Sequence, residues 1–186
     1  VLFVFFAANG IALSLIVERQ EGTLRRLFCS PAPPSQILMG KLMARGVLAA
    51  IQTTMLFAIG AVMFHLTLGS SVLGILLTAI GTIFAATGLG LLIATFGKTP
   101  EQVAGMTTLA LFMMGAVSGC MVPRMLLPES MQRFSLITPH AWALNAYQDI
   151  MLRQLPLSQT LVNIGMVYVF GAVFYGFALA RFKYES

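Results

Sequence analysis

Charge is what this sequence lacks. Only 9% of its 186 residues are charged, 11 Lys and Arg against 6 Asp and Glu, while 58% are hydrophobic. An average soluble domain carries about a quarter charged side chains, and so few cannot coat a globule of this size. The deficit excludes a water-soluble enzyme domain and a disordered chain. Cysteine is scarce too: Cys29 and Cys120 form neither a CxxC pair nor a metal-ligand spacing. Tryptophan occurs once, and HExxH is absent. Gly97-Lys98-Thr99 fails as a phosphate-binding loop, because Leu92 stands where that motif needs its first glycine. The chain therefore has no nucleotide site, cofactor or catalytic set of its own.

What is present is a series of long apolar runs, and a helix needs roughly 20 such residues to cross a bilayer. Five spans are expected, at about 1–17, 44–68, 72–96, 103–121 and 161–182. Strand-type alternation is missing, so the expected fold class is an all-α polytopic transmembrane helical bundle of five helices. Val1 opens directly on an apolar run with no basic segment before it, which reads as a first membrane segment cut short rather than a signal peptide. None of the charges lies deep within an expected span.

Connecting these spans puts Arg19, Arg25, Arg26, Lys41, Arg45, Lys98, Arg181 and Lys183 on one side, and Arg124, Arg133 and Arg153 on the other. The excess of Lys and Arg on cytoplasmic loops then places 18–40 and the C-terminus in the cytoplasm of a multi-pass inner (plasma) membrane protein. That topology accounts for the net charge of +5 without a nucleic-acid partner, since the cations flank apolar runs instead of lining one surface. It also sets Cys29 and Cys120 on opposite faces, where they cannot pair. On the outer side, 122–158 is cut by Pro123, Pro128, Pro139 and Pro156. Its apolar residues predict short amphipathic helices in or dipping into the interface, with Trp142 and Tyr147 suited to the aromatic belt.

The loop after the first span is the informative one. Gly22 can end the descending helix and Thr23 can cap a new one. Leu24, Leu27 and Phe28 then fall on one face and Arg25 and Arg26 on the other, until Pro31, Pro33 and Pro34 stop it. Ser35 is the expected cap of the next helix. Such a helix either lies on anionic lipid headgroups or docks a cytosolic partner, and the residues alone favour neither.

Glu18-Arg19-x-x-Gly22-Thr23-x-x-x-Leu27-x-x-x-Pro31, followed by Gly40-Lys41, resembles the signature of the permease subunits of type-2 ABC exporters. Leu127-Pro128 and Thr138-Pro139-His140-Ala141-Trp142-Ala143 are similar to the same family ahead of its last membrane helix. Lys98-Thr99-Pro100-Glu101-Gln102 is similar to its multidrug-type bacterial branch. The resemblance implies six membrane helices per domain, of which this chain holds the second to the sixth. It implies that Thr23–Phe28 is a coupling helix seated on a cytosolic ABC ATPase subunit, with Glu18, Arg19 and Glu21 at the joint. A second permease subunit, identical or not, completes the pathway, and membrane lipid surrounds it. The cargo it implies is a hydrophobic or amphipathic drug or lipid-like molecule moved outward.

The spans contain no carboxylate, and ion-coupled carriers usually need an intramembrane ionisable group. Energy is therefore expected from outside the chain. The competing reading is an ATP-independent secondary carrier or membrane scaffold with an interfacial helix. His65 and His140 are the only histidines. Gly115-x-x-x-Gly119 and the series Gly81, Ala85, Gly88 form small-residue faces for helix packing, within one subunit or across a dimer. Phe112, Met113 and Met114 are candidates to line a pathway.

Overall fold

The computed structural model describes residues 1–23, 34–64, 69–122 and 128–182. Every element among them is a helix: α1 Leu2–Phe5, α2 Ala7–Gln20, α3 Pro34–Phe64, α4 Val72–Ala94, α5 Pro100–Ser118, α6 Glu129–Ser135, α7 Pro139–Met151 and α8 Leu157–Phe182. The protein is an all-α polytopic bundle in which four helices, 2–20, 36–64, 72–94 and 157–181, are long and apolar enough to cross a membrane. The fifth expected span, 103–121, folds as α5. Its helix starts earlier, and Pro100, Glu101 and Gln102 give it a polar first turn. The first span is interrupted at Phe6 and then runs on as helix through Glu18, Arg19 and Gln20. Because α3 begins at Pro34, Ser35 lies inside its first turn and is not its cap. Its 31 residues rise about 46 Å, more than the roughly 30 Å hydrocarbon core.

Helix α4 is the axis of the bundle. Of its apolar stretch 56% is buried, against 22% for α8 and 11% for α3. Gly69 turns the chain at φ 66°, and a Cβ there would stand 2.1 Å from the Ile150 carbonyl oxygen. Ser71 then caps α4 by accepting from the Gly74 N–H at 3.1 Å. On the face toward α8, Gly81 and Gly88 leave room for the rings of Tyr168 and Tyr175, and Gly171 leaves room for Phe84. Lipid tails are as apolar as side chains, so close approach of small residues drives such packing. On the face toward α2, the backbone at Gly90 meets that at Ala8.

Most hydroxyls in the spans are satisfied inside their own helix. Thr53, Thr78, Thr82 and Thr107 donate to the carbonyls of Ala49, Gly74, Thr78 and Val103 at 2.6 to 2.8 Å. They remove the cost of an unpaired polar group in an apolar interior and leave interhelical bonding to few side chains. Gln52 Nε2 donates to the Phe3 carbonyl at 3.2 Å, and Tyr168 donates to that of Leu77 at 3.0 Å.

Two short helices form between α5 and α8, as the prolines predict. Helix α7 is drawn inward, with His140, Ala141, Ala143, Ala146, Asp149 and Ile150 buried against α4, α5 and α8. The Trp142 indole N–H donates to the Leu136 carbonyl at 2.7 Å, and the Tyr147 ring lies 5.7 Å from that of Phe57. Both aromatics are half-buried and face the bundle as well as its surroundings.

Candidate coupling site and the buried polar groups

The residues singled out around 18–31 begin at the last turn of α2. Gly22 adopts φ 69° just after the Glu21 cap, whose N–H bonds the Val17 carbonyl at 2.9 Å. Only a residue tolerant of the left-handed region ends a helix this way without strain. Thr23 Oγ1 donates to Glu21 Oε2 at 3.5 Å. Leu24, Arg25, Arg26, Leu27, Phe28 and Pro31 lie outside the described residues.

Two side-chain contacts, one an ion pair and one a hydrogen bond, join the root of this segment to the bundle. Lys41 Nζ donates to Glu18 Oε2 in an ion pair joining α3 to α2. Gln20 Nε2 donates to the Lys98 carbonyl at 3.1 Å, joining α2 to the turn before α5. Arg19 lines a cleft beside that turn. The turn is itself built by Thr99-Pro100-Glu101-Gln102: Thr99 Oγ1 accepts from the Gln102 N–H at 3.2 Å, and Gln102 Oε1 accepts from the Lys98 N–H at 2.9 Å. Pro100 takes the first helical position, where no N–H is needed. The end of α2 is thus joined to α3 and to the α4–α5 turn by side-chain contacts.

Arg45 reaches deeper than the sequence suggests. Its guanidinium lies against Gly10, where a Cβ would come within 3.2 Å of Nη1. Gly10 is eight residues from Glu18 along α2, about 12 Å of helix. No charge was expected that far into a span, because the side-chain length of arginine is invisible in a hydropathy profile.

The expected packing pair on α5 divides into two roles. Gly115 accepts Leu2, whose Cδ1 would stand 2.7 Å from an added Cβ. Gly119 is the C-cap of α5 at φ 90°; its backbone conformation, not its small size, explains the glycine. Phe112 and Met113 are exposed, and Met114 is half-buried. His65 lies outside the described residues.

Sequence reading missed a buried carboxylate. Asp149 is 4% exposed; it accepts from Arg153 Nη1 at 2.8 Å and from Asn163 Nδ2 at 2.6 Å. Its spacing to Arg153 was readable as a helical pair, but the contact with α8 was not. His140 is fully buried, its ring stacked on Phe5 at 3.8 Å between centroids. Neither ring nitrogen has a partner among the described residues, and burial pushes its pKa down to about 3. Burial likewise pushes Tyr147 up to about 12.

These features define a helical membrane bundle in which the end of α2 is tied to α3 and to the α4–α5 turn. The sequence pattern described as ABC-2 family transporter protein matches residues 1–180, and the chain belongs to that family. It is 26% identical over 172 residues to the inner membrane transport permease YhhJ of Escherichia coli, covering 91% of this chain and 46% of that protein. It is 25% identical over 183 residues to the linearmycin resistance permease protein LnrN of Bacillus subtilis, covering 98% and 47%. A probable multidrug ABC transporter permease of Escherichia coli, YbhR, is 31% identical over 130 residues, covering 69% and 35%. The chain spans about half the length of the first two of these relatives. No solved structure matches it.

Proposed function

We propose that the chain is the membrane-spanning permease domain of an ATP-driven exporter, powered by a separate cytosolic ATPase subunit that docks on Thr23–Phe28. The observation that carries this reading is the fastening of the root of that segment: Glu18 to Lys41 and Gln20 to Lys98. Nucleotide-driven closure of two ATPases pushes the segment, and these contacts pass the displacement to α3 and to the α4–α5 turn. A second permease copy or homologue supplies the other wall of the pathway, and α5 makes the fifth crossing. The basic end of the bundle and the C-terminus face the cytoplasm of the inner membrane. Hydrophobic or amphipathic cargo suits a chain of this composition, in keeping with the linearmycin resistance and multidrug names of two relatives.

The test uses the full-length permease co-expressed with its ATPase. Leu27→Asp places a charge on the apolar stripe of the docking segment, and Arg26→Glu reverses its polar face. Both are expected to abolish co-purification and ATP-driven export while the permease still inserts. If the subunits stay together and export continues, the docking assignment fails.

A further inference from the structure

Helices α2 and α3 contain a single carboxylate, Glu18, and Lys41 takes it. Arg45 stands one turn further along α3, and among the described residues it has neither an ion-pair nor a hydrogen-bond partner. The other acids are placed elsewhere. Glu21 accepts from Thr23, Glu101 and Glu129 open α5 and α6, and Asp149 is held by Arg153 and Asn163. Of the six carboxylate side chains, Glu185 alone falls outside the described residues. Nor does Arg45 bend toward the bilayer surface. Gln52 and Arg45 stand seven residues apart on α3, and the groups they meet, the Phe3 carbonyl and Gly10, stand seven apart on the opposing chain. The two pairs share one antiparallel register, which sets the Arg45 guanidinium level with its own backbone. Lys41, level with Ser14 in that register, reaches one turn nearer the basic end to Glu18. An ionised group inside a span is costly without an opposite charge and marks a binding or transport position. Beside Gly10, Asn9 has a buried Oδ1 that also lacks a partner among the described residues.

We infer that Arg45 is the recognition point for the anionic group of an amphiphilic cargo, a phosphate or carboxylate carried on a long apolar tail. Within the exporter reading above, on which this rests, the cargo narrows to amphiphiles bearing negative charge. A guanidinium offers such a group paired donors in a fixed geometry. Gly10 leaves the room this needs, since a Cβ there would press to 3.2 Å from Nη1. Arg45 is half-buried, so a ligand reaches it from the bilayer. Leu48, Met55 and Ile59 follow it along the same side of α3, away from the basic end. They are 56%, 59% and 48% exposed and give the tail an apolar surface. A neutral amphiphile leaves the arginine uncompensated, and Arg45 thereby discriminates by charge.

The experiment first measures binding to the full-length permease in phosphatidylcholine nanodiscs without its ATPase, which makes the result independent of the docking assignment. The probes are a pyrene-labelled long-chain alkyl phosphate and the alcohol of the same chain. The wild type is expected to bind the phosphate roughly tenfold more tightly, the worth of one hydrogen-bonded charge pair. Arg45→Gln is expected to remove that difference and leave alcohol binding unchanged, whereas loss of the fold would lower both. Arg45→Lys keeps the charge and is expected to keep most of the preference. Arg153→Ala, an equal charge change at the end of α7, is expected to leave it intact. Equal binding of the two probes by the wild type overturns the proposal, as does an unchanged preference in Arg45→Gln or a lost one in Arg153→Ala. A second arm follows ATP-driven uptake of the alkyl phosphate into inverted vesicles by the complete assembly, where Arg45→Gln is expected to lower uptake by the same factor. If binding is lost while uptake is unchanged, Arg45 holds a bilayer phosphate and the cargo assignment falls. If the wild type binds the phosphate but shows no ATP-driven uptake of it or of the alcohol, the exporter reading fails and the cargo assignment with it.

Discussion

The ring of Tyr175 fills the notch that Gly88 leaves on α4, and its hydroxyl donates to Thr87 Oγ1 at 2.8 Å. One heptad away, Tyr168 fills the notch at Gly81 and its hydroxyl donates to the Leu77 carbonyl at 3.0 Å. The two units repeat at the same spacing on both helices, so one register of α8 against α4 satisfies both. Adding a side chain at Gly88 must displace the ring or separate the helices, because a Cβ would stand 2.9 Å from Tyr175 Cδ2. Gly88→Val is therefore expected to destabilise the bundle by about 2 kcal/mol, within the usual cost of overpacking. Tyr175→Phe keeps the ring and loses one interhelical bond, at a cost of about 0.6 kcal/mol. Unfolding in mixed micelles measures both, and equal costs for the two variants would sink the account.

The buried carboxylate makes an asymmetric prediction. Arg153 is 62% exposed at its side chain, whereas Asp149 is 6% exposed. Removing the arginine leaves a partner to be replaced by water. Removing Asn163 leaves a buried acceptor without its inner donor. Arg153→Ala is expected to cost at most about 0.5 kcal/mol, and Asn163→Leu about 2 kcal/mol. The same unfolding measurement orders them, and a larger loss for the arginine variant contradicts the assignment.

His140 predicts a pH dependence of known sign. Its pKa is about 3 in the folded protein and about 6.5 in an unfolded chain, so below 6.5 the unfolded state binds the extra proton. The stability contributed by the neutral ring is complete above that value. It is lost progressively as pH falls toward 3, by about 1.4 kcal/mol per unit. At about pH 5 the loss is about 2 kcal/mol. His140→Phe preserves an aromatic ring beside Phe5 and is expected to remove this component. Thermal midpoints from about pH 8 to about pH 5, compared between wild type and variant, check it; parallel declines would refute it.

The long helices were legible because hydropathy is a property of local sequence, and the prolines and Gly22 marked where the chain turns. What was not legible is tertiary. Gly81 and Gly88 announced a small-residue face, but nothing along the chain says that Tyr168 and Tyr175 occupy it. Gly119 fits a small-xxx-small pattern with Gly115 and yet serves a backbone conformation, a difference that only φ reveals. The inward placement of α7 depends on Phe5 and Asn163, distant in sequence, so a segment that reads as interfacial is partly core. At the candidate site, Glu18 and Lys41 were visible as charges; that they face each other follows from the antiparallel course of α2 and α3.

That pairing supplies the sharpest functional prediction. Glu18 and Lys41 are each only about one-quarter exposed at the side chain, so each shields the other from an apolar surrounding. Glu18→Lys or Lys41→Glu alone sets like charges against each other. Either is expected to reduce ATP-driven export by the full-length assembly roughly tenfold, the effect of about 1.4 kcal/mol at the joint. The exchanged pair, Glu18→Lys with Lys41→Glu, restores the attraction and is expected to recover most of the transport, provided neither side chain touches the ATPase itself. Transport of a fluorescent lipophilic dye into inverted vesicles, with expression matched, measures all three. If the exchanged pair is as impaired as the single variants, Glu18 acts through a different partner and the contact between α2 and α3 does not carry the displacement.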